Sequence, residues 1–134
     1  METPVGTSAQ QAARDAFTSL ATRLAAEQAA GIVAMRAVHD AWAAELFTLS
    51  DGAQVSQSEL GGVGCEIVRA AGVASERTLL HFHGGGFVIG SPQGYHPFGA
   101  VLSDNCAATV ILPDYGLSPE HSPQAQVQDA VAVY

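Results

Sequence analysis

Leu79-Leu80-His81-Phe82-His83-Gly84-Gly85-Gly86-Phe87-Val88-Ile89-Gly90-Ser91 decides the reading of this chain. A run of strand-forming residues stops at a histidine, and three glycines follow at once. Three successive glycines are required only where a backbone passes close to another group or takes positive φ. Bare N–H groups in a row at a strand end can hold a negatively charged oxygen. The same run could also be a plain tight turn. A phosphate cradle fits less well, because the segment has neither a Lys-Ser/Thr ending nor the Gly-x-Gly-x-x-Gly spacing.

The elements around this segment follow from periodicity. Residues 8–30 read as a helix, with Ala13, Phe17, Leu20 and Leu24 at spacings of three and four, and Gly31 ends it. A second helix is expected from Ile32 to Phe47, with Val38, Trp42 and Leu46 four apart. Val55–Leu60 and Gly64–Arg69 read as strands, the latter with Cys65, Ile67 and Arg69 on one side. Arg77–Phe82 lacks alternation and reads as a strand buried on both faces. Pro97–Ala107 is expected to be a helix with Pro97 in its first turn. Thr109–Leu112 reads as a short buried strand. A last helix starts with Ser122 as N-cap and Pro123 at N1, and carries a stripe of Val127, Ala130, Val131 and Tyr134. Helices followed by β-β-β-α-β-α make an α/β sheet.

A second segment, Asp114-Tyr115-Gly116-Leu117-Ser118-Pro119-Glu120-His121, begins 31 residues after His83. Together with His83-Gly84-Gly85-Gly86-Phe87 and Gly90-Ser91 it resembles the hormone-sensitive-lipase-like branch of the α/β-hydrolases, the bacterial family IV esterases. The match is specific over about residues 64–134. Over residues 1–60 it is a likeness in layout, since that family has an N-terminal helical cap segment. The resemblance implies the N-terminal half of an α/β-hydrolase sheet, with residues 1–50 as a helical, cap-like segment and 51–134 as a partial core. It further implies a carboxylic ester hydrolase acting on short acyl esters through an acyl-serine intermediate. In that scheme Gly84, Gly85 and Gly86 supply the oxyanion hole, with Gly84 and Gly85 favoured as donors, and His83 positions the loop. Phe87, Tyr95 and His96 are candidate borders of the pocket. For Tyr95 and His96, packing at a helix start is the equal alternative. No cofactor is implied.

The chain departs from the family in two places. It contains no Gly-x-Ser-x-Gly, and Gly116-Leu117-Ser118-Pro119-Glu120 lacks the second glycine of a nucleophile elbow. The family's nucleophile, acid and histidine base all follow the second motif, so none is expected before Tyr134. The strand ending at Phe82 is then expected at an open apolar sheet edge, and the last helix is expected to lack half its packing surface, which favours association. Alternatively the chain is an inactive half-domain that binds a small ligand, or pairs with a chain supplying the missing strands. Gly116 also replaces the family's usual arginine, which removes an expected partner from Asp114 and Glu120.

Composition sets the remaining bounds. Among 134 residues, 13 are acidic and 5 basic, a net charge of −8, which disfavours nucleic acid and anionic membrane surfaces as partners. No 18-residue apolar run is present. Met1–Gln10 has neither a basic nor an apolar leader region, so a cytoplasmic location is expected. Cys65 and Cys106 read as free buried thiols. His81 and His83 share a strand face, but no third metal ligand falls at a useful spacing. Asp114 and Glu120 read as loop-bracing charges, Cys106 as a core residue, and His39 and His121 as surface or loop residues.

Overall fold

The computed structural model describes residues 7–74 and 76–134. The first six residues of the N-terminal segment and Ser75 lie outside the described residues. Helix α1 runs over Thr7–Glu27 and tightens into a 3-10 turn at Gln28–Ala30. Gly31, at φ +93°, turns the chain into α2, Ile32–Leu46. Strands β1 (Gln54–Leu60), β2 (Val63–Arg69) and β3 (Thr78–Leu80) follow. Then come α3 (His96–Cys106), β4 (Thr109–Pro113) and α4 (Pro123–Val133).

The four strands form one mixed sheet in the order β1-β2-β4-β3. β1 and β2 form an antiparallel hairpin, β2 and β4 are antiparallel, and β3 and β4 are parallel, joined by the α3 crossover. This is a partial α/β-hydrolase sheet preceded by two helices. The core is Val68, Ala100, Val110 and Leu112, each no more than 0% exposed, with Leu79, Tyr95 and Leu102 packed against it. Ser103 ties the C-terminal end of α3 to the sheet: its hydroxyl donates to Ala108 O at 2.6 Å and accepts from Ala70 N at 2.9 Å.

Local signals account for most boundaries. Ser122 caps α4, its hydroxyl accepting from Ala125 N at 3.2 Å, and Pro123 occupies the first turn, where a missing N–H costs nothing. Pro97 plays the same part in α3. β4 is buried nearly throughout, as its apolar run implies.

Four expectations need correction. β3 is shorter than Arg77–Phe82 and only half-buried, because it lies at the sheet edge with a partner on one side alone. The better-buried row of β2 is Glu66 and Val68, continuing to Ala70, rather than Cys65, Ile67 and Arg69, because α3 packs on that face. Cys65 is buried as expected but Cys106 is exposed, since it sits in the last turn of α3 on the side away from the sheet. On α4, Val127, Val131 and Tyr134 are exposed, and Gln126 is the buried residue.

Candidate functional site

The chain leaves the sheet at His81, whose N–H still donates to Ile111 O at 2.9 Å. Two residues on, His83 is buried, and its ring stacks on Tyr115 with centroids 4.6 Å apart. The Tyr115 hydroxyl donates to His83 O at 2.7 Å, which ties the second motif to the strand end. Burial holds the His83 imidazole below its ordinary pKa, and it does the same to His81. His83 is therefore neutral at pH 7. Its Nδ1 lies 2.9 Å from Gly84 O, an acceptor only, so the proton is assigned to Nδ1. Burial also pushes the Tyr115 phenol upward, which keeps it a donor.

The three glycines then form a tight turn. Gly85 O accepts from Val88 N at 3.2 Å and Ile89 N at 3.1 Å. Gly85 has φ +131°, and a Cβ there would collide with the Ile89 carbonyl, so only glycine closes this turn. Among the described residues, the N–H groups of Gly84, Gly85 and Gly86 donate to no backbone or side-chain acceptor. Gly85 lines a cavity of about 540 Å³ between α1, α2 and the start of α3, alongside Phe17, His39, Trp42, Ile89 and Tyr95. The arrangement therefore combines free donors with a largely apolar chamber, the usual make-up of a small-molecule site.

Of the three residues expected to border this chamber, Tyr95 lines it; Phe87 and His96 do not. Tyr95 precedes α3 and packs its ring against His81 and His83, at 5.9 and 5.5 Å. Phe87 takes φ +63° with its side chain 63% exposed. Such a conformation is strained for a residue with a Cβ. It is held through the Phe87 carbonyl, which accepts from Ser118 N at 2.8 Å and Gln126 Nε2 at 3.4 Å. His96 faces β2 instead, its Nε2 3.4 Å from Glu66 Oε2 but without hydrogen-bond alignment.

Two residues at the site carry no signal in the motifs. His39 is buried on α2, not at the surface as expected: its Nδ1 is 3.3 Å from Asp40 Oδ1, and the same carboxylate accepts from Ser91 Oγ at 3.1 Å. The spacing of His39, Trp42, Ala43 and Leu46 is that of one helix face and could have revealed it. Arg36, one turn earlier, donates from Nε to Val88 O at 2.9 Å, from Nη2 to Ser118 O at 2.9 Å, and through both terminal nitrogens to the Glu120 carboxylate at 2.9 and 2.7 Å. The guanidinium pulls the Glu120 carboxyl down to about 2. Glu120 thus has an arginine partner, contributed by α2 rather than by position 116. At position 116 a Cβ would collide with the His121 ring. Gly116 N instead donates to Asp129 Oδ2 at 2.9 Å. His121 is exposed in its loop, as expected. Among the described residues no group of three or more His, Cys, Asp and Glu is placed to hold a metal.

A family model described as the alpha/beta hydrolase fold matches residues 79–134, the stretch holding both motifs. An acetyl-hydrolase of Streptomyces hygroscopicus is 43% identical over 58 residues, which cover 43% of this chain and 19% of that protein. A crystal structure of a hormone-sensitive lipase from a metagenome library superposes with a TM-score of 0.71 at 35% identity, covering 77% of this chain and 34% of that one. Over the matched stretch the chain is similar to α/β-hydrolases of the hormone-sensitive-lipase type. An esterase from the bacterial hormone-sensitive lipase family superposes more extensively, with a TM-score of 0.75 at 27% identity over 90% of this chain and 41% of its own length. That second superposition extends the likeness into the N-terminal helices. The chain spans about a fifth of the curated relative and about a third to two fifths of the solved structures.

Proposed function

We propose that this chain supplies the oxyanion-hole part of a carboxylic ester hydrolase that works on short acyl esters through an acyl-serine intermediate. One observation carries the reading: among the described residues the amides of Gly84, Gly85 and Gly86 have no acceptor, and Gly85 borders an apolar chamber. An ester carbonyl seated there would gain negative charge as it is attacked, and fixed N–H groups would meet that charge without having to reorient. Removing one such donor typically costs roughly 3 kcal/mol of transition-state stabilisation. His83 serves this role as a brace, since it is buried, neutral and bonded through Nδ1 to Gly84 O of the turn itself. Helices α1 and α2 of the N-terminal segment act as a cap that closes the chamber from one side. The substrate is a small-molecule ester. The unpaired Cys65 and Cys106 suit a cytoplasmic setting, though only as a supporting feature.

A second reading rests on a separate observation. β3 is a sheet-edge strand, and α4 exposes Val127 and Val131. A half-domain with such a flank could bind a ligand without turning it over, or pair with a chain that brings the remaining strands. Turnover of p-nitrophenyl butyrate separates the two. Alone, the chain should not exceed the background of free histidine. Joined to a segment carrying Gly-x-Ser-x-Gly with its acid and histidine, it should turn over the ester, and Gly85→Ala should abolish that gain. Ester turnover that is indifferent to Gly85 would refute the oxyanion role.

A further inference from the structure

We propose that Arg36 is the positioning residue of the glycine turn: from α2 it pins the Val88 carbonyl and, with the same guanidinium, the Ser118 carbonyl and the Glu120 carboxylate. The inference rests on the reading of the turn as a cradle for negative charge. Nothing in either motif names Arg36, which lies 52 residues before Val88 and 84 before Glu120.

The argument starts from what the turn lacks. Three glycines and a positive-φ phenylalanine make a segment with little intrinsic preference for one shape. Its own bonds, from Val88 N and Ile89 N, both converge on Gly85 O and close only its first half. The outgoing half is held by other elements: Ser118 N and Gln126 on Phe87 O, and Arg36 Nε on Val88 O. Two of these groups reach both loops at once: Gln126 Nε2 with long bonds to Phe87 O at 3.4 Å and Ser118 Oγ at 3.3 Å, and Arg36 with bonds of 2.7–2.9 Å to Val88 O, Ser118 O and Glu120. The planar fork of Arg36 has five donors in fixed directions, and four hydrogen bonds to three residues use Nε, Nη1 and Nη2. A lysine cannot reproduce that pattern, because an ammonium is a point charge with no plane. Glu120 plays a subordinate part: it touches the guanidinium, not the turn.

Amide hydrogen exchange on the described chain tests this without any catalysis. The amides of Val88, Ile89 and Ser118 report whether the turn and its clasp are closed, and those of Val68 and Val110 report the sheet. Arg36→Ala should speed exchange at the first three by tenfold or more and leave the last two within twofold. Arg36→Lys should give an intermediate rate, and Glu120→Gln a smaller change than either. This graded, local pattern is one that a general loss of packing does not produce. Equal acceleration across the sheet and the turn would overturn the proposal, as would unchanged exchange at Val88 and Ile89 in Arg36→Ala. If Arg36→Ala does not fold, the ranking of Arg36→Lys against Glu120→Gln decides: Glu120→Gln matching or exceeding Arg36→Lys would make the carboxylate the anchor and refute the assignment. Failure of the esterase reading would show separately, as turnover indifferent to Gly85 while the exchange ranking held.

Discussion

Two neighbouring regions of this chain are treated in opposite ways. The glycine turn from His83 to Gly90 exposes polar backbone, yet several of its carbonyls are taken up: His83 O by Tyr115, Gly84 O by His83, Gly85 O by two amides, Phe87 O by Ser118 and Gln126, and Val88 O by Arg36. Its N–H groups are used less fully: those of Val88 and Ile89 donate to Gly85 O, while those of the three glycines, His83, Phe87 and Gly90 meet no acceptor among the described residues. The flank formed by α4 has the reverse character, with Val127, Val131 and Tyr134 at 62%, 71% and 101% exposure and nothing polar drawn across them. The contrast separates two kinds of vacancy. Donors without acceptors beside an apolar chamber suit the charged or carbonyl oxygen proposed above. Apolar surface without cover is arranged for packing, by whatever chain segment or partner lies against it.

Four substitutions probe that contrast, in order of expected effect. Gly85→Ala forces a Cβ against the Ile89 carbonyl at φ +131°. Backbone strain of this kind costs about 1–3 kcal/mol, and the collision adds to it. Urea unfolding should show the loss, and exchange at Val88 and Ile89 should become fast; a variant as stable as the parent would mean the turn is loose.

Tyr115→Phe removes the donor to His83 O and leaves a buried carbonyl unpaired, a loss of about 1–3 kcal/mol. The same urea titration measures it, and a change under half a kcal/mol would show that water replaces the hydroxyl. Glu120→Gln should have a smaller effect that depends on pH. The Glu120 carboxyl is held at about 2, below its ordinary 4.5. Its contribution is therefore complete above about pH 4.5 and fades as the pH falls toward 2. The melting temperatures of parent and variant should differ at pH 7 and converge toward pH 2; a gap that widens in acid contradicts the ion pair. Val131→Glu should be nearly neutral, within about 0.5 kcal/mol, because the side chain is already in water. Sedimentation should instead show less self-association than the parent. A large loss of stability would mean the α4 face is packed, and the contrast between the regions would fail.

Much of the fold was legible because its signals are local. Ser122-Pro123 fixes the start of α4, the apolar run Thr109–Leu112 gives a buried strand, and the strand-to-glycine boundary at His83 marks the turn. What was hidden depends on long-range docking. The face of β2 was misassigned because both faces of that strand are partly covered, so alternation does not say which side α3 will take. Cys106 was expected inside because its helix is apolar, but it falls in the final turn, past the last contact with the sheet. His39 is expected at the surface or in a loop, but it shares a buried helix face with Trp42 and Ala43. Arg36 had no local mark at all: its partners lie 52 to 84 residues away, and only the docking of α2 brings them together.

The central claim is that three amides are held open for an oxygen carrying negative charge. Titrating the ¹⁵N-labelled chain with butyrate, a carboxylate stand-in for the developing oxyanion, tests this most directly. The account predicts saturable shifts at the Gly84, Gly85 and Gly86 amides, with Ile67 and Ile111 in the sheet unmoved. Shifts spread evenly over the surface, or none at the three glycines while other amides respond, would contradict it.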